Sequence, residues 1–135
     1  MRAATRSISI EAHPAWVFEY VSNPANLPQW SRSFCLSVSQ QDEAWIIETP
    51  HGPVQVYIQA FSDSGVVDQY LFPSPEVQVH IPMRVLPNGS GTEFIFTLFQ
   101  PDDISDEDYR QEVYWVEQEL MILKQVLEES GHLQA

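Results

Sequence analysis

The middle of the chain alternates between apolar and polar residues with a period of two. From residue 34 to residue 99, only short polar or Gly/Pro-containing stretches interrupt this alternation. Such alternation is typical of strands that bury one face, and short connections favour consecutive antiparallel hairpins. The pattern predicts six strands, at 33–39, 44–49, 53–61, 66–72, 77–86 and 92–99.

A strand and two short helices are predicted before this region. Residues 7–11 alternate like an edge of the same sheet. His13-Pro14 and Asn23-Pro24 each place a proline at the first turn of a helical segment, where its missing N–H costs nothing. The second segment is predicted to end near Trp30.

A long helix is predicted at the C-terminal end, from Asp106 to Glu129. Ser105 offers an N-cap side chain, and acidic residues crowd the first turn, where they complement the helix dipole. Gly131 then supplies the residue at which the helix can terminate.

Pairing the predicted strands across their loops assigns each residue to one face of the sheet. Directly opposite residues share a face, so the assignment propagates from strand to strand. The inner face is predicted to be apolar except for Thr49 and Gln69, and it includes Leu36 and Val77. The outer face is predicted to hold Cys35 and His80, with Asp68 and Arg84 as an ion pair. The pairs are Ser39 with Ala44, Thr49 with Val54, Phe61 with Val66, Phe72 with Gln78, and Leu86 with Gly91.

The order of elements and several local motifs resemble the START-like (SRPBCC) superfamily, and most closely its bacterial polyketide cyclase/dehydrase-like branch. The matching segments are Ile8–Pro14 with Val17-Phe18, Asn23–Trp30, Pro82–Val85, Thr97–Phe99 and Leu120–Leu127. The resemblance covers nearly the whole chain and implies a single α+β domain over 1–135. It implies a helix-grip fold, in which a curved seven-stranded antiparallel sheet wraps around the C-terminal helix.

The same resemblance implies a hydrophobic cavity between the sheet and the N-terminal half of the long helix. Leu120 to Leu127 are expected to form solid core instead. The residues expected to line the ligand site are Thr49, Ile58, Gln69, Met83, Phe96, Tyr109, Glu112, Val113 and Val116.

Composition excludes several classes of function. The chain has 135 residues and a formal net charge of −13, with 6 basic against 19 acidic side chains. Such a charge repels phosphate backbones, so nucleic acid is not an expected partner. No apolar run approaches the ~20 residues of a membrane-spanning helix, and a cytoplasmic location is expected.

The sequence gives little support for a metal site or a catalytic nucleophile. A lone Cys35 excludes an internal disulfide, and His13, His51, His80 and His132 are predicted at separate places. No catalytic residue, metal site or cofactor is therefore predicted.

Three functional classes stay open at this point. The first is the binding, sequestration or transport of a small hydrophobic ligand. The second is a polyketide cyclase or aromatase, for which relatives suggest an acid–base residue where this chain has Gln69, which does not titrate. The third is a protein-partner module of the ATPase-activator type. Ligand binding is favoured, and a homodimer is among the expected assemblies.

Overall fold

The structure, a computed structural model, describes residues 1–129 of the chain. A strand and short helical segments precede six further strands and a long helix, as predicted. The elements are β1 (Ala3–Ile10), α1 (Pro14–Val21), a 3-10 turn (Pro24–Asn26), α2 (Leu27–Trp30), β2 (Ser37–Gln41), β3 (Ala44–Thr49), β4 (Gly52–Phe61), β5 (Val66–Ser74), β6 (Val77–Asn88), β7 (Gly91–Phe99) and α3 (Asp106–Glu129).

The seven strands form one antiparallel sheet in the order β1-β7-β6-β5-β4-β3-β2. Strands β2 to β7 are joined by consecutive hairpins, whereas β1 pairs with β7 and so forms one edge of the sheet. Helix α3 lies along β1 and contacts α2. The predicted α+β arrangement is confirmed.

The long helix begins as predicted. The Ser105 hydroxyl accepts a hydrogen bond from the backbone N–H of Asp108 at 3.1 Å, so Ser105 is the N-cap. The helix extends to Glu129. The predicted terminating residue, Gly131, and His132 lie outside the described residues.

The predicted faces are correct for most of the sheet, although three hairpins are offset by two residues. Ala44 pairs with Gln41, Thr49 with Gly52, and Gly91 with Asn88. A shift of two residues preserves the face, because side chains alternate with a period of two. The Phe61–Val66 hairpin has the predicted register.

Residues 31–36 were predicted to begin a strand, and this prediction is wrong. The N–H groups of Phe34 and Cys35 both donate to the Ser31 carbonyl, at 3.2 and 2.8 Å, so the chain forms a turn there. Strand β2 begins only at Ser37. As a result Cys35 is buried rather than on the outer face, and Leu36 is 61% exposed rather than inside.

Two further predictions about the sheet are corrected. Asp68 pairs with Pro82, so His80 and Arg84 are its two diagonal neighbours on β6, and the Asp68 Oδ1 lies 3.2 Å from the His80 Nε2 rather than pairing with Arg84. Val77 is exposed rather than inside, since the pairing of β5 with β6 shifts beyond Leu71.

The most completely buried part of the core, which we call the packed region, lies where the sheet meets α1, α2 and the C-terminal half of α3. The rings of Trp30 and Phe94 meet edge to face there, with their centroids 6.0 Å apart. Side chains of this kind each contribute several kcal/mol when they are fully buried. The packed region comprises Ile10, Val17, Val21, Leu27, Trp30, Phe94, Leu123 and Leu127.

Candidate functional site

A buried amide interrupts the apolar inner face of the sheet at Gln69. The side chain is only 4% exposed, and its Oε1 atom has no hydrogen-bond partner within the described chain. Ile58 on β4 and Ile81 on β6 lie directly beside it. An unpaired buried amide costs ~1–3 kcal/mol on mutational scales, so this oxygen is a ready acceptor for a donor that enters the interior.

Part of the inner face near Gln69 is less completely buried than the packed region, although Val67 and Leu71, its neighbours on β5, are buried. Ile58, Val79 and Leu98 are partly exposed although they belong to the inner face. We call this part of the inner face, with Gln69 and Ile81, the open region.

A proline interrupts the pairing of β6 with β7 next to the open region. The N–H of Val85 donates to the Gly65 carbonyl next to β5, so even-numbered residues of β6 direct their N–H groups towards β7. Pro82 occupies such a position and has no N–H to donate. In the described part of the chain, the pairing of β6 with β7 ends beside it, at Met83–Phe96.

Helix α3 is attached to this end of the sheet through Tyr109. The phenol donates a hydrogen bond to the Leu98 carbonyl at 2.6 Å, and the ring is buried. On the following turns Val113 and Glu112 are only half-buried, whereas Val116 is buried. Burial, together with the negative charge of Asp108, raises the pKa of the Glu112 carboxyl above its usual range.

Not all predicted site residues lie together. Met83 pairs with Phe96 on the inner face, two residues along β6 from Ile81, so both adjoin the open region. Thr49 lies far away, because it pairs with Gly52, six residues along β4 from Ile58, a separation of about 20 Å at ~3.3 Å per residue. Its hydroxyl is already used in the β3–β4 turn, where it donates to the Gly52 carbonyl at 2.8 Å.

The sequence reasoning missed one buried titratable group, Glu119. Its two carboxylate oxygens accept hydrogen bonds from the Ser31 hydroxyl at 3.3 Å and from the Ser33 N–H at 3.2 Å. Burial raises the pKa of Glu119 to about 7, and these hydrogen bonds offset part of the rise. The only signal for it in the sequence was its position on α3 beside the apolar residues Val116, Leu120 and Leu123.

Cys35 lies in the same turn as the serines that bind Glu119. Burial, and secondarily the nearby Glu119 carboxylate, raise the pKa of the Cys35 thiol to about 11. A thiol that is protonated at neutral pH is a poor nucleophile. Cys35 is therefore a packing residue here, and its Sγ donates to the Ser37 carbonyl.

Several solved structures have a similar architecture. The chain resembles the protein XoxI from Bacillus cereus with a TM-score of 0.73 and 18% identity, over 98% of this chain and 99% of that one. It resembles the Aha1 dimer from Colwellia psychrerythraea with a TM-score of 0.72 and 17% identity, over 95% and 97%. A START superfamily protein from Mycobacterium smegmatis matches with a TM-score of 0.69 and 11% identity, over 95% and 98%.

The chain has the START-like helix-grip fold. At these identities the likeness shows the fold alone, and helix-grip domains carry diverse functions. No protein-family model matches the sequence, and no curated protein matches it. The resemblance to the polyketide cyclase-like branch therefore stays a prediction.

The helix-grip domain also carries two clefts outside the grip, on the side of the sheet where β1 forms the edge. One has a volume of about 490 Å³ and separates the β1 edge from the N-terminal half of α3. The other, of about 460 Å³, lies beside it between Met1-Arg2 and residues 100–106. The first is lined by residues 2–6 and by Tyr109, Arg110, Val113, Tyr114 and Glu117. Two predicted site residues, Tyr109 and Val113, thus line a cleft whose other wall is the β1 edge.

The described histidines lie at separate places in this fold. The Nδ1 of His13 caps α1 by accepting the Ala15 N–H, His51 lies in the β3–β4 turn, and His80 stacks on Tyr70. Within residues 1–129, no three His, Cys, Asp or Glu side chains are grouped so that they could hold a metal ion. No helix in this range is long and apolar enough to cross a membrane.

Proposed function

We propose that this protein binds a small hydrophobic molecule between the sheet and α3, at the open region, with the Gln69 amide as the polar group that orients it. The observation that carries the proposal is the buried Oε1 of Gln69, which has no partner within residues 1–129. Apolar walls with one or a few convergent polar groups are typical of small-molecule sites.

The partly buried side chains of Ile58, Val79 and Leu98 support this location. Phe96 and Met83 extend the apolar wall towards α3. Val116 and Glu112 are the α3 residues that we propose for the opposite wall, whereas Val113 lines the cleft at the β1 edge.

A substitution at Gln69 tests the proposal with two probes. 1-Pyrenemethanol carries a hydroxyl donor on the ring system of pyrene, whereas pyrene itself is a pure hydrocarbon. Because the unpaired atom of Gln69 is an acceptor, Gln69→Leu should weaken 1-pyrenemethanol binding about fivefold, the equivalent of one net hydrogen bond of ~1 kcal/mol, and should leave pyrene binding unchanged. Because the change removes an unpaired buried amide, the free energy of unfolding should stay equal or rise.

Gln59→Leu is the matched control, because Gln59 is exposed and lies on the outer face of β4. This substitution should not change the affinity of either probe. Equal weakening of both probes by Gln69→Leu would show that the side chain only shapes the interior. A loss of more than ~2 kcal/mol in stability would identify Gln69 as a satisfied structural residue and would contradict the proposal.

Two alternatives from the sequence remain for comparison. An acid–base enzyme of the cyclase type would need a titratable group in the interior, and Glu112, half-buried with a raised pKa, is the residue that we would test for it. Glu119 fits that role less well, because both its oxygens already accept hydrogen bonds. A partner-binding module and a homodimer stay predictions; one structural neighbour is described as a dimer.

A further inference from the structure

The cleft between β1 and α3 gathers basic side chains in a strongly acidic protein. Arg2, Arg6 and Arg110 line it, which is three of the 6 basic residues in a chain of net charge −13. Its volume of about 490 Å³ is enough for a small molecule, and the cleft is shallow and open to solvent. The concentration of guanidinium groups at one cleft is opposite to the charge of the molecule as a whole.

The three guanidinium groups differ in how they are engaged. Arg2 donates to Asp106 at 2.8 Å and lies over the Tyr109 ring, and Arg6 donates to Glu117 at 2.7 Å. Arg110 is exposed and forms no hydrogen bond or salt bridge with any residue in 1–129, although, besides the hydrogen bond from Arg2, its charge acts on Asp106 through space and helps to lower the pKa of that carboxyl. Its donors are therefore available to a ligand.

The cleft also offers apolar surface next to these donors. Val113 and the exposed Tyr114 ring lie on α3 within one turn of Arg110, whereas Tyr109 is buried beneath the Arg2 guanidinium. Guanidinium groups bind carboxylates and sulfonates through paired N–H donors, while aromatic and aliphatic walls hold an apolar body.

The surrounding acids reduce this attraction without cancelling it at physiological salt. Asp106 is already paired with Arg2, and Glu117 with Arg6. More distant acids are screened, because the Debye length is only about 8 Å at 0.15 M ionic strength.

We propose that this cleft is a second binding site, for a small organic anion with an aromatic or aliphatic body. Arg110 is the main donor to the anionic group, Arg6 assists when the anion displaces Glu117, and Tyr114 covers the apolar part. The site is separate from the interior between the sheet and α3, and the proposal does not depend on the function proposed above.

The dye 8-anilinonaphthalene-1-sulfonate, an aromatic sulfonate, is the probe that tests the site at 0.15 M salt. Arg110→Gln should weaken its binding about tenfold, which corresponds to ~1.4 kcal/mol. Arg84→Gln is the matched control, because Arg84 is exposed on the outer face of β6 and the substitution removes the same charge. It should change the affinity by less than twofold.

A substitution that removes a negative charge from the cleft, and should therefore strengthen binding, provides a second test. Glu117→Gln removes a carboxylate from the cleft and frees Arg6, so it should strengthen dye binding about threefold. Glu43→Gln, in the turn at the opposite edge of the sheet, should leave the binding unchanged.

Three results would overturn the proposal. The first is dye binding that Arg110→Gln and Arg84→Gln weaken equally, since this would reflect net charge alone. The second is weaker binding by Glu117→Gln. The third is loss of the dye on Val116→Trp with no effect of Arg110→Gln, which would assign the dye to the interior. 1-Pyrenemethanol and pyrene report the interior independently, so failure of one proposal leaves the other measurable.

Discussion

The packed region and the open region share one sheet face but differ in how completely their side chains are buried. In the packed region Ile10, Phe94 and Leu123 are at most 1% exposed, and α1, α2 and α3 cover them. In the open region Ile58 and Leu98 are partly exposed around the unpaired amide of Gln69. Both regions continue the same alternating strands, so strand pattern alone does not produce the difference.

The difference follows from what covers each region. The short helices after β1 and the C-terminal turns of α3 seal the packed region, whereas Tyr109 attaches the first turn of α3 near Leu98. The packed region stabilises the domain, and the open region is where we propose that a ligand binds.

The largest expected effect on stability comes from a substitution in the packed region. Ile10→Ala should lower the free energy of unfolding by about 2–5 kcal/mol, because it leaves a cavity among fully buried neighbours. Ile58→Ala removes the same atoms from the inner face of the open region and should cost less than half as much. Urea unfolding of both variants measures the difference. Equal losses would show that the two regions are packed alike.

A pH series sharpens the comparison, because the packed region contains Glu119. Its pKa of about 7 in the folded protein exceeds the ordinary value of 4.5, so the folded state binds the proton more tightly. The resulting stabilisation is complete below pH 4.5 and is lost as pH rises through 7. The loss in the free energy of unfolding is about 3 kcal/mol, since each unit between the two pKa values corresponds to ~1.4 kcal/mol.

Glu119→Gln should therefore reduce the loss of stability between pH 5 and pH 8 and should be more stable than the wild type at pH 8. The amide oxygen can still accept from the Ser33 N–H, and the new NH₂ group can donate to the Ser31 hydroxyl oxygen, which reverses the hydrogen bond that Ser31 donates to Glu119. Glu112→Gln serves as the control at the open region, with a smaller effect because that carboxyl is only half-buried. Parallel pH profiles for the wild type and Glu119→Gln would contradict the account.

Much of the fold could be predicted from the sequence because its signals are local. The Ser105 cap and the acidic first turn define the start of α3, and period-two alternation defines the faces. The two-residue offsets arose because strands run into tighter turns than expected. Asp42 and Gly89 have φ values of 57° and 60°, which allow two-residue turns there.

The site could be predicted less well because burial there depends on contacts between distant segments. The alternation of Phe34, Leu36 and Val38 suggests a strand, yet the turn at 31–36 puts Cys35 inside and brings Ser31 to Glu119. No local pattern reports that contact, which joins residues 88 positions apart. Gln69, in contrast, was predictable, since one amide in an apolar row stands out in any register.

The central claim, that the open region is the ligand site, is tested most directly by two-dimensional ¹H–¹⁵N NMR during a titration with 1-pyrenemethanol. The account predicts that the amide shifts concentrate at Ile58, Gln69 and Ile81, and that Phe94 and Leu123 hardly move. Shifts concentrated at the β1 edge or on the outer face around Tyr70, or no shifts at saturating dye, would contradict it.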